Sequence, residues 1–190
     1  DTLAAQLTGT PTGDIFIRET DALAVGSVTP LDNFNSGTAI AGITTANNRS
    51  ITLETLAGTL SVNENVSANG TGNVALKAGG ATSDIAIASG KSVGSTGAGT
   101  VQLVAGQSIT TADTGNTNKE VTTGTGGSVL LSATIGIGTS TNRIDTTTDT
   151  LAAQLTGTPT GDIFIRETDA LAVGSVTPLD NFNSGTAIAG

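Results

Sequence analysis

The chain has 190 residues, 16 acidic against 7 basic for a net charge of −9, and no Cys, His, Met, Trp or Tyr. Without Cys or His there is no thiolate nucleophile, disulfide, zinc-finger spacing, haem ligand or histidine acid–base chemistry. Seven scattered cations cannot neutralise a phosphate backbone, and no apolar run approaches the ~20 residues that span a bilayer, so neither nucleic acid nor a membrane span is expected.

Residues Asp1–Gly42 recur without a single change as Asp149–Gly190, an offset of 148. Residues 1–148 read as one complete tandem unit and 149–190 as the start of the next, identical one, with no separate globular domain. Such close identity is the mark of a repeat array. We expect the chain to be a window on a longer polypeptide.

In chain order, Thr2–Leu7 is the least poor helix candidate, and its Thr-rich flanks argue against it. Alternating triplets then begin at Ile15-Phe16-Ile17 and return at Ile51-Thr52-Leu53, Val74-Ala75-Leu76, Val101-Gln102-Leu103, Val129-Leu130-Leu131 and Ile163-Phe164-Ile165. Their first residues are 36, 23, 27, 28 and 34 positions apart. Gly13, Gly72, Gly99, Gly127 and Gly161 each stand two positions ahead of a triplet. A second apolar alternation follows each of the first five, at Leu23-Ala24-Val25, Leu60-Ser61-Val62, Ile85-Ala86-Ile87, Ile109 and Ile135-Gly136-Ile137. A third, shorter one comes at Val28, Val66, Val93, Val121 and Ile144. Period-two runs separated by Gly, Asn, Asp, Ser and Thr are strands and turns.

Three strands per cycle, recurring at about 30 residues, describe one coil of an all-β parallel β-helix, or β-solenoid. The count is about five coils per 148-residue unit. The long intervals carry insertions such as Ser36–Thr45 and Thr146–Thr160, or additional smaller coils that would raise the count to six or seven. A narrow coil interior takes Val, Ile, Leu and Ala and leaves little room for rings, which suits a chain whose only aromatics are 4 Phe.

The runs Ile137-Gly138-Thr139-Ser140-Thr141-Asn142-Arg143-Ile144 and Gly161-Asp162-Ile163-Phe164-Ile165, leading to Ala172-Val173-Gly174-Ser175-Val176, resemble the repeats of filamentous-haemagglutinin-type proteins. These are large bacterial surface adhesins exported by two-partner secretion, together with related giant β-strand-repeat proteins. The resemblance covers most of the chain. It implies a right-handed parallel β-helix, export to the cell surface or medium, and a role in adhesion, biofilm or extracellular matrix.

Candidate sites are few. Asp14, Glu19 and Asp21 fall within eight residues, and Asp145 and Asp149 flank Thr146-Thr147-Thr148. Carboxylates near a turn can hold calcium, the one cofactor to consider, but six to eight oxygen ligands are needed. Neither β-roll nonapeptides nor EF-hand spacing is present, so solvated turn acids are the simpler reading. Glu19 is expected to pair with Arg18 of a neighbouring coil. Phe16 and Phe34 recur as Phe164 and Phe182. Alternation turns Phe16 outward, where Thr8–Thr12 or Leu31–Ser36 folds over it, or where Phe16 and Phe164 make lateral contacts between rods.

Catalysis is not expected. A polysaccharide-degrading or polysaccharide-binding β-helix, the alternative function, needs paired carboxylates beside aromatic platforms and a cation. The leading expectation is a structural stalk or filament segment. Its partners would be further copies of the repeat, in the same chain or end to end, with lateral self-association, a host or neighbouring cell surface, or polysaccharide as other options.

Overall fold

A computed structural model describes residues 1–31, 37–115, 118–179 and 187–189. Among these, three parallel sheets of seven, six and seven strands run the length of the chain, and one antiparallel strand pair is added to them. The result is a β-solenoid of about six turns, roughly 26 residues apart.

The first sheet stacks Ile15–Glu19, Ile51–Thr55, Val74–Ala78, Thr100–Ala105, Ser128–Ala133, Thr150–Leu155 and Ala172–Val173. The second stacks Thr2–Leu3, Leu23–Val25, Leu60–Val62, Ile85–Ile87, Ser108–Thr111 and Gly136–Ile137. The third stacks Ala5–Gln6, Ile43–Thr44, Val66–Ala68, Val93–Ser95, Val121–Thr122, Ile144–Thr147 and Ile165–Glu167. From residue 51 to residue 137 the expected triplets fill these three sheets in the expected order. Thr2–Leu7 forms two short strands, not a helix.

Alternation sends every second side chain inward, and the pairing is in register, so like residues meet from turn to turn. Ile51, Val74, Val101 and Val129 form one column, and Leu53, Leu76, Leu103 and Leu131 form the next. Leu60, Ile85, Ile109 and Ile137 line the second sheet, and Ile43, Val66, Val93 and Val121 the third. All are fully buried in one continuous core, each contributing about 2 kcal/mol of transfer free energy.

At the corners, short polar side chains stand in for the main chain. Asp14 Oδ1 accepts from the Ser50 amide at 2.9 Å, Ser50 Oγ from Asn73 at 3.1 Å, and Asn73 Oδ1 from Thr100 at 2.8 Å. Turns three to five leave the third sheet through stacked glycines, where backbone lies on backbone. A methyl group on Gly97 would sit 2.6 Å from the Gly70 carbonyl oxygen, and one on Gly124 would sit 2.7 Å from Gly97 Cα.

Three expectations are corrected. Val28 is not a third-sheet strand. Ser27–Val28 pairs antiparallel with Ile40–Ala41, and Ile43–Thr44 takes the third-sheet position, so the insertion in this coil is that hairpin and not Ser36–Thr45. The stretch Thr146–Thr160 is not an insertion either, because Thr150–Leu155 is a full first-sheet strand on Ser128–Ala133. Ile163-Phe164-Ile165 therefore does not open a coil as Ile15-Phe16-Ile17 does. Ile163 bridges to Ile137 of the second sheet, and Ile165–Glu167 joins the third.

Identical residues thus occupy different sheets in the two copies. Thr2–Leu3 lies under Leu23–Val25, whereas its copy continues from Ile144–Thr147 directly onto the first sheet. The strand beneath decides the position, because a parallel strand has no partner within its own turn.

The glycine corner yields a controlled test. Gly97→Ala should cost about 2–3 kcal/mol, since backbone must move to admit the methyl. Gly13→Ala, with nothing within 4 Å of the added methyl, should be close to neutral. Thermal unfolding followed by circular dichroism compares the two; equal melting temperatures would remove the stacked-corner argument.

Candidate interaction surface

The outward residues of the first sheet form two columns. The first runs Phe16, Thr52, Ala75, Gln102, Leu130 and Ala152. Phe16 is 68% exposed, as alternation requires. Its lower end borders a shallow cleft of about 300 Å³ lined by Asp14, Phe16, Thr52, Ala75 and, from the other side, Leu179.

The upper part of this column is covered. Leu130 and Ala152 are fully buried although they point away from the core, and they form a second apolar cluster with Val176 and Ile188. Val176 and Ile188 exchange two antiparallel backbone hydrogen bonds of 3.0 Å, so the end of the described chain lies on the first sheet as a hairpin. The Leu179 amide donates to Gln102 Oε1 at 2.6 Å, and Gln102 is wholly buried in consequence.

The two rings expected as equivalent spots are not equivalent. Phe164 is half-buried at a corner, its amide donating to the Ile137 carbonyl and its carbonyl accepting from Ile144. Phe34 and Phe182 lie outside the described residues.

The second outward column carries charge. Glu54 accepts from Arg18 Nε at 2.8 Å and lies 2.9 Å from Lys77 Nζ, linking three successive turns. Arg18 therefore meets Glu54, not Glu19. Burial pushes the Glu54 carboxyl upward, but hydrogen bonds and attraction from Lys77 and Arg18 outweigh this and hold it below the usual range.

On the outside of the third sheet the order of signs is less favourable. Glu120 and Asp145 are each 1% exposed and adjacent in the stack, and Glu120 Oε2 accepts from the Asp145 amide at 2.8 Å. Arg166 pairs with Asp145 from the next turn. Glu120 Oε1 and Asp145 Oδ1 have no hydrogen-bond partner among the described residues. Burial first, then repulsion from Asp145 and Asp113, raises the Glu120 carboxyl above its ordinary value, against opposing hydrogen bonds from the Asp145 and Glu120 backbone.

Of the calcium candidates, Glu19 and Asp21 come together with Asp1, their ligand oxygens within 4.8 Å of one another. Asp14 is elsewhere, engaged with Ser50. Glu19 Oε1 already accepts from the Thr20 amide and hydroxyl. Three carboxylates at an exposed edge supply about half of a calcium shell. Their copies are dispersed, Asp149 holding the Gly126 amide and Glu167 the Thr146 hydroxyl.

Sequence reasoning assigns no surface role to Glu54, Gln102, Glu120, Leu130, Val176 or Ile188. One signal was available: Val129-Leu130-Leu131 places three large apolar residues in a row, so one of them must face outward and needs cover. No family model, curated protein or solved structure matches the chain.

Two carboxyl groups with opposite shifts give opposite pH behaviour. Glu54 is stabilising above its unfolded value near 4.5 and loses that contribution as pH falls through its lower folded value. Glu54→Gln should therefore cost about 1 kcal/mol at pH 7, a drop of about 2–4 °C in melting temperature, and little in strong acid. Glu120 is destabilising when ionised and is relieved as pH falls through its raised folded value. Glu120→Gln should raise the melting temperature by about 2–4 °C at pH 7, an advantage that vanishes below about pH 4. Melting curves between pH 3 and pH 8 check both signs.

Proposed function

We propose that this chain is a structural segment, a stalk or filament, of a giant extracellular repeat adhesin or matrix fibre. It acts by length, stiffness and many weak contacts. The carrying observation is an uninterrupted parallel stack with a single aliphatic core, in a sequence whose residues 1–42 return unchanged at 149–190. A stack of this kind has no intrinsic size limit, since each turn depends on its neighbours alone. Repetition of one weak contact along such a rod gives firm attachment by avidity.

Placement outside a bacterial cell belongs to the same proposal, and it is supported by the resemblance to filamentous-haemagglutinin-type repeats. No helix among the described residues is long and apolar enough to cross a membrane. Export by two-partner secretion follows from the same resemblance.

Electron microscopy of the native material, with gold-labelled antibody against residues 43–148, provides the test. Unbranched labelled rods on or outside intact cells are expected. Compact particles, or label confined to lysed cells, would overturn the proposal, as would release of sugars from any polysaccharide by the isolated chain.

A further inference from the structure

The two copies of Gly26–Gly42 permit a comparison that single-copy proteins lack, because the same residues appear in two settings. In both, Val28 with Ile40 and Val176 with Ile188 form the same antiparallel pair, so the hairpin is one element with one register. Its surroundings differ. In the second copy Val176 is 4% exposed and Ile188 is 6% exposed against Leu130 and Ala152 on the outer face of the first sheet, and Pro178 is buried. In the first copy the hairpin stands beside Thr2–Leu3 and Ala5–Gln6, leaving Val28 39% and Leu31 82% exposed.

The seat is specific in shape and polarity. Leu130 and Ala152 supply the apolar floor, and Gln102 Oε1 supplies an acceptor for the amide of the leucine that follows Thr-Pro. The first-copy hairpin carries the same Val, Ile and Thr-Pro-Leu, since every residue of Gly26–Gly42 is repeated at Gly174–Gly190. The residues that seat the second hairpin are therefore all present in the first.

We propose that the antiparallel pair of Ser27–Val28 and Ile40–Ala41 is a docking arm whose receptor is the Gln102–Leu130–Ala152 face of a second copy of this chain. In a single chain the second-copy hairpin occupies the seat from within and holds it by its high local concentration. Where that hairpin is displaced, the exposed first-copy hairpin of another copy takes its place. Lateral contact between rods then comes from a hairpin in a preformed seat and not from the Phe16 ring. This contact is independent of the extracellular role proposed above.

The test uses the full chain. Val176→Asp with Ile188→Asp disables the inner hairpin and leaves the seat intact. That variant should form concentration-dependent dimers or larger species in sedimentation velocity, and adding Val28→Asp and Ile40→Asp should return it to monomer. A fluorescein-labelled peptide spanning Gly174–Gly190 should bind the V176D/I188D chain saturably, at least about tenfold more tightly than the unmodified chain, and Leu130→Asp should abolish binding. A V176D/I188D chain with unchanged circular dichroism that neither associates nor binds the peptide would overturn the proposal. Association that survives V28D/I40D would also overturn it, since the contact would then be non-specific. Should V176D/I188D lose its sheet dichroism, V176T/I188T carries the same measurements.

Discussion

Every strand of the three parallel sheets finds its backbone partners in the turn above or below and none within its own turn. This constraint governs the rest of the molecule. The Val66 amide reaches the Ser92 carbonyl and the Val93 amide the Glu120 carbonyl, so a turn is complete only when its neighbours are in register. Register in turn stacks like on like. An Ile–Val–Val–Val column and a Leu–Leu–Leu–Leu column are what constant cross-section looks like in sequence, and close packing leaves the interior no latitude for rings. The corners obey the same rule in backbone form. Gly70, Gly97 and Gly124 lie on one another with no space for a methyl, while Asp14, Ser50 and Asn73 supply acceptors where the chain bends.

Stacking at a fixed spacing of about 4.8 Å also disciplines the surface, because a charge must come to terms with whatever stands at the same position one turn away. Arg18, Glu54 and Lys77 alternate in sign and settle one another. Glu120 and Asp145 do not alternate, and Arg166 pairs with Asp145. The outer face of the first sheet shows the apolar version of the same accounting. Leu130 and Ala152 face away from the core and are buried because a hairpin covers them.

Much of the architecture was legible because column formation is a periodic signal. Val74-Ala75-Leu76, Val101-Gln102-Leu103 and Val129-Leu130-Leu131 announce their sheet, their inward residues and their order. The second copy was misread for the opposite reason. Ile163-Phe164-Ile165 matches Ile15-Phe16-Ile17 letter for letter, yet its position depends on Thr150–Leu155 having already claimed the first sheet. Local pattern cannot report what lies beneath a strand. The acid cluster failed similarly. Proximity in sequence grouped Asp14 with Glu19 and Asp21, whereas the coil brings Asp1 to that pair and sends Asp14 into a corner. Hairpin cover over Leu130 was half-legible: the run of three apolar residues shows that cover is needed, though not which segment supplies it.

The direction of the backbone hydrogen bonds has a mechanical consequence. They lie along the rod axis and the strands lie across it, so tension applied between the ends loads the bonds of one terminal turn at a time, as in peeling tape. Each turn that lets go replaces an axial advance of about 4.8 Å by the contour of roughly 26 residues, on the order of 90 Å of extended chain. A rod built in this way resists bending while intact, yet yields under pull in small, repeated steps. Sustained tension is then absorbed as length, turn by turn, before the remaining stack feels it.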